Sequence, residues 1–435
     1  MRYILNLVYL LFLAAAAPLL LYRAVAHGKY RQGWSQKLFG LAPRRQTPGK
    51  CLWFHAVSVG EVNLLAPLLA EIDRRHPAWQ CVISTTTATG FATAKKKYPR
   101  LRVFYCPLDF SWAVETAMRR VRPDCLVLAE LELWPNLIAA ARRFGAQVAV
   151  VNGRLSERSF RGYRRLRRLL APLLEQIDLF AVQNEEYAER FSLLGAERPS
   201  LHVTGSLKFD GAQTDRHNAA SERLRRLAGI EDGDVVFLAG STQHPEEEAA
   251  LAAYVALVRE HPELRLILVP RHPERFDAVA AMLDRHGVAW QRRSRLDVDG
   301  ARSAARVLLV DTVGELGAWW ATASIAFVGG SLNRRGGQNM IEPAAYGVAV
   351  CFGPNTRNFR DIVELMLARQ AAVVVADAAE LTAFAGRCLS DPSFAVELGE
   401  RARRLVAGQL GATARTLRLL EPLLAAKPLS SSKAA

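Results

Sequence analysis

Several short stretches put acids, a lysine and an arginine directly behind apolar runs, where side chains of these types can do chemistry. Glu61, in VSVGE, follows one such run and opens an amphipathic segment carrying Leu64, Leu65, Leu68 and Leu69. A carboxylate there is either a helix-start acid or a general base aimed at a substrate. Glu130, in AELELWPN, comes immediately after the apolar CLVLA. An acid in that position must reach solvent, a partner or a ligand, because burying it unpaired is costly. Glu132 fits the same requirement. Lys208, in GSLKFD, is a cation at a strand exit; the competing reading is a surface lysine paired with Asp210.

The second half of the chain carries groups suited to a nucleotide. Arg271 and His272 stand in PRHPERF behind another apolar run, and arginine offers a planar fork for phosphate oxygens. In DTVGELGAWW, Asp311 or Thr312 fits a helix cap that leaves the amides of Val313, Gly314 and Glu315 facing outward. The stretch Phe327 to Pro354 reads FVGGSLNRRGGQNMIEPAAYGVAVCFGP: an apolar run, a Gly-rich loop, a helix expected from about Asn339 to Gly347, and a further apolar run. Free N–H groups at such a helix start can hold phosphate. Glu342 in its first turn is either a cap or a carboxylate that takes two ribose hydroxyls.

These residues need strands to position them. Apolar runs near Cys51 to Val57, Gln80 to Thr86, Arg102 to Cys106, Cys125 to Ala129, Val148 to Val151, Phe180 to Val182 and His202 to Thr204 read as one series. A polar, helix-like stretch from Phe209 to Arg226 reads as a linker. A second series follows at Val235 to Ala239, Leu264 to Val269, Val307 to Val310, Ile325 to Val328, Val348 to Phe352 and Ala371 to Val375. Continuous apolar runs predict strands buried on both faces, hence two parallel sheets covered by helices. Ligands of such sheets lie beyond the carboxyl ends of the strands, where the candidate residues fall.

Composition bounds the partners. The chain has 435 residues, enough for two domains, and carries 57 basic against 42 acidic side chains, a formal charge of +15. The excess favours an anionic partner, and without zinc-ligand spacing or an aromatic RNA-binding signature nucleic acid ranks last. Six scattered cysteines in apolar surroundings read as reduced core thiols. Tyr3 to Tyr22 is a nearly continuous apolar run followed by basic residues, which predicts a membrane anchor with the bulk of the chain in the cytoplasm. A cleaved signal peptide is the competing reading. The segment from Arg154 to Arg168 holds seven arginines interleaved with Phe160, Tyr163 and Leu166, and reads as one basic amphipathic helix, either against anionic headgroups or as a solvated face.

The set VSVGE, AELELWPN, GSLKFD, PRHPERF, DTVGEL and GGQNMIEPAAYG resembles the 3-deoxy-D-manno-octulosonic acid (Kdo) transferase family of lipopolysaccharide synthesis. The resemblance implies an α/β GT-B fold, two Rossmann-like domains facing a cleft, behind an N-terminal anchor helix. The expected divisions are an anchor at 1–22, a basic juxtamembrane segment at 23–50, an acceptor-binding domain at 51–212, a CMP-sugar-binding domain at 213–426 and a disordered tail at 427–435. The implied reaction is inverting, metal-independent transfer of Kdo from CMP-Kdo to a lipid A precursor (lipid IVA) at the cytoplasmic face of the inner membrane, with no cofactor. It implies Glu61 as general base and Glu130 and Lys208 as transition-state stabilisers. CMP would be held by Pro270, Arg271, Val313, Gly314, Glu315, Asn339, Met340, Ile341 and Glu342. Gln338 and Gln243 stand where the family usually has histidine, which removes any imidazole role there. Another GT-B transferase, a sugar-nucleotide epimerase and a non-catalytic membrane-bound nucleotide sensor are the alternatives.

Overall fold

The computed structural model describes residues 2–27 and 32–425. The chain divides into two compact units, Met1–Gly211 with Leu410–Ala435, and Ala212–Gln409. The expected tail at 427–435 lies outside the described residues.

The first unit is built on seven strands: β1 (Cys51–His55), β2 (Gln80–Thr85), β3 (Arg102–Tyr105), β4 (Cys125–Ala129), β5 (Gln147–Gly153), β6 (Leu179–Val182) and β7 (Leu201–Val203). They lie in the order β3-β2-β1-β4-β5-β6-β7, and every pairing is parallel. The sequence accounts for this directly. Cys51, Leu52, Trp53 and Phe54 are fully buried, as expected of a strand with helices over both faces. The strand order reverses between β1 and β4, and the crevice at such a reversal is where ligands of open parallel sheets collect.

The second unit repeats the plan with β8 (Val235–Thr242), β9 (Leu264–Pro270), β10 (Trp290–Arg292), β11 (Val307–Leu309), β12 (Ile325–Val328), β13 (Ala349–Phe352) and β14 (Val373–Val374). Their order is β10-β11-β9-β8-β12-β13-β14, again parallel throughout. Its reversal lies between β8 and β12. Strand β10 is absent from the sequence reading, since three residues containing Gln291 and Arg292 carry no apolar run.

Three further boundaries differ from the sequence reading. The stretch read as a linker contains the helix Ala219–Leu227, which opens the second unit and is capped by Asn218 accepting from the N–H groups of Ala220 and Ser221. The basic segment after the anchor contains the helix Trp34–Phe39, which ends on Gly40 at φ 67°; a Cβ there would stand 1.8 Å from the carbonyl oxygen of Ala113, so only glycine fits. The last helix, Ala412–Ala425, belongs to the first unit and not to the second, which corrects the 213–426 assignment. Its Leu417, Leu420 and Leu424 are buried among Leu52, Phe54 and Ile72. The Asp210 carboxylate accepts from Gly411 N at 2.7 Å and from Thr413 N, tying the returning chain to the exit of β7.

At the amino terminus a single helix runs from Arg2 to His27. Among the described residues it is the one helix long and apolar enough to cross a membrane, with mean hydropathy 1.6 over Arg2–Leu19.

Candidate active site

In the first unit, β1 leads through Ser58 into the short helix Val59–Leu64, which carries Glu61 in its first turn. Ser58 and Glu61 form a reciprocal cap: the Glu61 N–H donates to Ser58 Oγ at 3.4 Å, and Ser58 O–H donates to Glu61 Oε1 at 2.9 Å. The other carboxylate oxygen takes the Val57 N–H at 2.7 Å. Glu61 is therefore a cap, yet burial outweighs these bonds. Desolvation first, then the charges of Glu132 and Glu130, push its carboxyl up to about 7. A carboxylate tuned to neutrality is matched to taking a proton from a hydroxyl near pH 7.

Glu130 follows β4 with a left-handed backbone, φ 58°. This region is uncommon for a side-chain-bearing residue and costs about 1 kcal/mol or more. Asn152 at the end of β5 (φ 54°) and Ser241 at the end of β8 (φ 55°) share the conformation, so among the described residues three of the five non-glycine residues with positive φ stand at strand carboxyl ends. Glu130 Oε2 accepts from Arg154 Nε at 2.7 Å, and Oε1 faces Lys208 Nζ at 3.9 Å. The pairing of Lys208 with Asp210 raised by the sequence does not form, because Asp210 is occupied by the amides of Gly411 and Thr413. Asn152 Oδ1 accepts the Leu207 N–H at 2.9 Å and so sets the loop that carries Lys208.

Arg154 and Asn152 are members of this cluster that the sequence reading missed in that role. Both stand at or just behind the end of β5, a signal equal to the one that singled out Glu130. Glu132 instead accepts from Trp134 Nε1 at 2.9 Å, and burial raises its pKa. His55 is a core residue: fully buried, 3.0 Å from Ser84 Oγ, and pushed down to about 4 by burial, so it stays neutral. The arginine-rich segment is two helices, Glu157–Arg165 and Arg167–Leu174, interrupted at Leu166, and not one.

In the second unit, the Gly-rich loop behind β12 is bound from within. Glu246, fully buried after β8, accepts Gly330 N at 2.7 Å and Gln243 N at 2.9 Å on Oε2. Its Oε1 accepts Ser331 N at 2.8 Å and Leu332 N at 2.9 Å. Desolvation raises its pKa, while the N–H groups of Gly330, Leu332, Gln243 and Ser331 pull it down. The amides of residues 330–332 are thus not free for a phosphate, because a protein carboxylate already holds them; the expected phosphate-holding N–H groups at the helix start near Asn339 are a different set. A Cβ on Gly329 would meet Thr242 Cα at 2.6 Å, which explains the glycine at this close approach.

The expected nucleotide residues are placed as follows. Pro270 closes β9, and the Arg271 N–H donates to Thr242 O at 3.0 Å. Asn339 precedes the helix Ile341–Ala345, which is shorter than expected; its Oδ1 caps the Ile341 N–H at 3.1 Å, and its Nδ2 donates to Glu342 Oε1 at 2.9 Å. Glu342 is largely buried; desolvation raises its pKa, while the Asn339 bond and the nearby Arg271 charge lower it, which puts Arg271 and Glu342 in one neighbourhood. Met340 is buried. Val313 is 78% exposed and Gly314 stands at φ 96° with open space at its Cβ position. The Glu315 carboxylate is held by Arg293 at 2.9 and 2.8 Å and by Thr312 Oγ1 at 2.7 Å. Asp311 caps nothing in its own helix; it accepts from Ser294 N and Oγ.

Gln243 and Gln338 converge. Their Nε2 atoms lie 3.7 and 3.2 Å from the place a Cβ on Gly330 would take. Beside them opens a depression of about 530 Å³ lined by Gln243, His244, His272, Arg275, Arg334 and Arg335, among others. Its basic rim suits an anionic group.

The profile of the family described as 3-Deoxy-D-manno-octulosonic-acid transferase (kdotransferase) matches residues 32–211. The chain is similar to the 3-deoxy-D-manno-octulosonic acid transferase of Haemophilus influenzae, with 32% identity over 403 residues, 92% of this chain and 93% of that protein. It is 37% identical over 383 residues to the protein of the same description from Bordetella pertussis, covering 86% of this chain and 87% of that one. Among solved structures, that of a UDP-GlcNAc 2-epimerase from Neisseria meningitidis bound to UDP-GlcNAc matches with TM-score 0.55 over 86% of this chain and 100% of that one. At 12% identity this is a likeness of fold alone.

Proposed function

The chain belongs to the 3-deoxy-D-manno-octulosonic acid transferase family, and from that membership we propose that it moves Kdo from CMP-Kdo to a lipid A precursor by one inverting displacement with Glu61 as base. The acceptor's sugar hydroxyl gives its proton to Glu61 as its oxygen bonds to the anomeric carbon of Kdo. The bond from that carbon to the phosphate oxygen breaks, and CMP leaves with the electron pair. One displacement inverts the centre once and requires one base and no covalent enzyme intermediate.

The observation that carries this reading is the Glu61 carboxyl, pushed up to about 7 by burial at the carboxyl end of β1. Near pH 7 it is partly ionised and basic enough to take a hydroxyl proton as the new bond forms. Glu130 and Lys208, 3.9 Å apart, are the groups proposed to stabilise charge in the transition state. Arg271 and the backbone of Val313 to Glu315 and of Asn339 to Glu342 are proposed to hold CMP, with Glu342 toward the ribose. Metal independence is part of the same proposal. It is supported by Arg271 as a resident cation for the leaving phosphate.

The proposed setting is the cytoplasmic face of the inner membrane, with the helix Arg2–His27 as the membrane element, which suits an acylated and phosphorylated acceptor. The epimerase alternative rests on fold alone, whereas the transferase relatives match along most of the chain.

The test is mass spectrometry of the product formed from tetraacylated lipid A precursor and CMP-Kdo, with and without a chelator. Glu61→Gln should abolish the Kdo mass increment, and the anomeric configuration of the product should be opposite to that of the donor. Transfer that survives Glu61→Gln would remove the base from this scheme.

A further inference from the structure

The helix Arg2–His27 does not stand apart from the first unit. Its Asn6 is buried, donating to Ser111 Oγ at 2.7 Å and accepting from Ser111 N at 3.0 Å and Asn136 Nδ2 at 3.3 Å. One turn on, the Tyr9 hydroxyl donates to Asp109 Oδ2 at 3.1 Å, and the same carboxylate takes the N–H groups of Asn136 and Leu137 at the start of the helix Pro135–Arg143. The partly or fully covered positions Leu5, Asn6, Tyr9, Leu13, Ala16 and Ala17 recur at helical spacing. Asn6 and Tyr9, which carry the bonds to the first unit, lie on that stripe. Tyr3, Ile4, Leu7, Leu11 and Phe12, on the remaining circumference, are exposed.

A membrane-crossing helix cannot satisfy these contacts. Its 26 residues extend about 39 Å, so one end would lie a bilayer's width from the other. Here both ends lie within reach of the same unit. Near the amino end Asn6 and Tyr9 are bonded to it. At the other end, at most about 21 Å of chain separates His27 from Gly33, which packs against the Tyr105 ring. A crossing would also draw the buried carboxylate of Asp109 toward hydrocarbon.

The surface beside the helix continues its character. Tyr9 meets Phe110 edge to face at 6.1 Å, Phe110 stacks on Trp112 at 4.6 Å, and Trp112 Nε1 donates to Leu38 O at 2.9 Å. Trp112, Trp34, Phe39 and Leu41 are all exposed, a cluster of the kind that sits at the headgroup level. Arg44 and Arg119, also exposed, flank it and suit anionic headgroups.

We propose that the helix Arg2–His27 lies in the plane of an anionic phospholipid bilayer, clamped to the first unit through Asn6 and Tyr9, with both its ends on the side of that unit. This deepens the membrane part of the proposed function and rests on it. The helix then serves as a keel that seats the acceptor-binding unit on the membrane surface, where an acylated substrate is found.

The test uses the full chain in membrane vesicles of both orientations and a membrane-impermeant maleimide. Arg2→Cys, at the end that ion-pairs with Glu115 of the first unit, and, as a reference in the second unit, Val298→Cys should be labelled in the same vesicle orientation, with transfer activity retained as the check on folding. Labelling of Arg2→Cys only in the opposite orientation means a crossing helix and overturns the inference while leaving the membrane reading intact. Recovery of the protein wholly in the soluble fraction overturns both. Introducing Asn6→Leu into Arg2→Cys should shift a measurable share of the label to the opposite orientation; an unchanged pattern removes the clamp from the proposal.

Discussion

Lys208 Nζ stands 3.9 Å from Glu130 Oε1, although the two residues come from loops behind different strands of the first sheet. Arg154 closes on the other oxygen of the same carboxylate at 2.7 Å, so Glu130 is shared by two cations. Glu130 makes both contacts from a left-handed backbone, φ 58°.

This cluster should act as a unit. Lys208→Met and Glu130→Gln are each expected to lower kcat by about 100-fold. The double variant should lose far less than the product of the two, because residues in contact are not additive. Steady-state kinetics on the four proteins measures the coupling; a fully multiplicative loss would mean the two side chains act separately.

Glu61 predicts a pH dependence with a definite sign. Activity should rise from pH 6 to 8 as the carboxyl, with its pKa at about 7, loses its proton. Stability should move the other way. The folded pKa is raised above the ordinary 4.5, so folding is unpenalised below that value and loses stability as pH climbs toward 7. Glu61→Gln removes that penalty. Denaturant titrations should show it matching the parent at pH 4 and exceeding it by about 3 kcal/mol at pH 8, less whatever the lost cap costs.

Glu246→Ala should be among the most damaging changes in the second unit. It strands four backbone N–H groups that now bond one buried carboxylate, each a loss of about 1 kcal/mol or more. Glu246→Gln, with a single carbonyl oxygen, should fall between. At temperatures where both remain folded, the KM for CMP-Kdo should rise while the KM for the acceptor holds.

Replacing Arg164, Arg165, Arg167 and Arg168 together by serine should raise the acceptor KM and leave the donor KM unchanged. Leu166 and Leu169, between and beside them, are exposed and continue an apolar surface among the charges. Each basic side chain near an anionic surface is worth about 1 kcal/mol, so a loss of ~100-fold or more in acceptor binding is expected. Equal effects on both substrates would point to a folding defect instead.

What the sequence made legible follows from what kind of signal each residue sends. Buried parallel strands announce themselves as unbroken apolar runs, and Ile325 to Val328 or Cys125 to Ala129 could be bounded to the residue. β10 sends no such signal because its middle residue is a buried glutamine that bonds Gly300 O. Glu61 and Glu130 stood out because a charge behind a buried strand demands an explanation, and Lys208 because it is a cation at a strand exit. Glu246 did not. It sits in a run of three glutamates that reads as an ordinary helix start, and only the folded loop at 330–332 shows that Glu246 is the one that takes its amides. Asp210 was misassigned for a related reason: its partners at 411 and 413 are far along the chain, and no local pattern announces them.

The return of the final helix to the first unit has a topological consequence. The polypeptide passes from one unit to the other twice, near residue 211 and again near 410, so the second unit is an insertion into the first. A gene fragment stopped at the first crossing would encode a sheet stripped of Leu417, Leu420 and Leu424, with Asp210 left without its amide partners. Excising residues 212–409 and bridging the gap with a short flexible linker is the cut that respects how this protein is threaded.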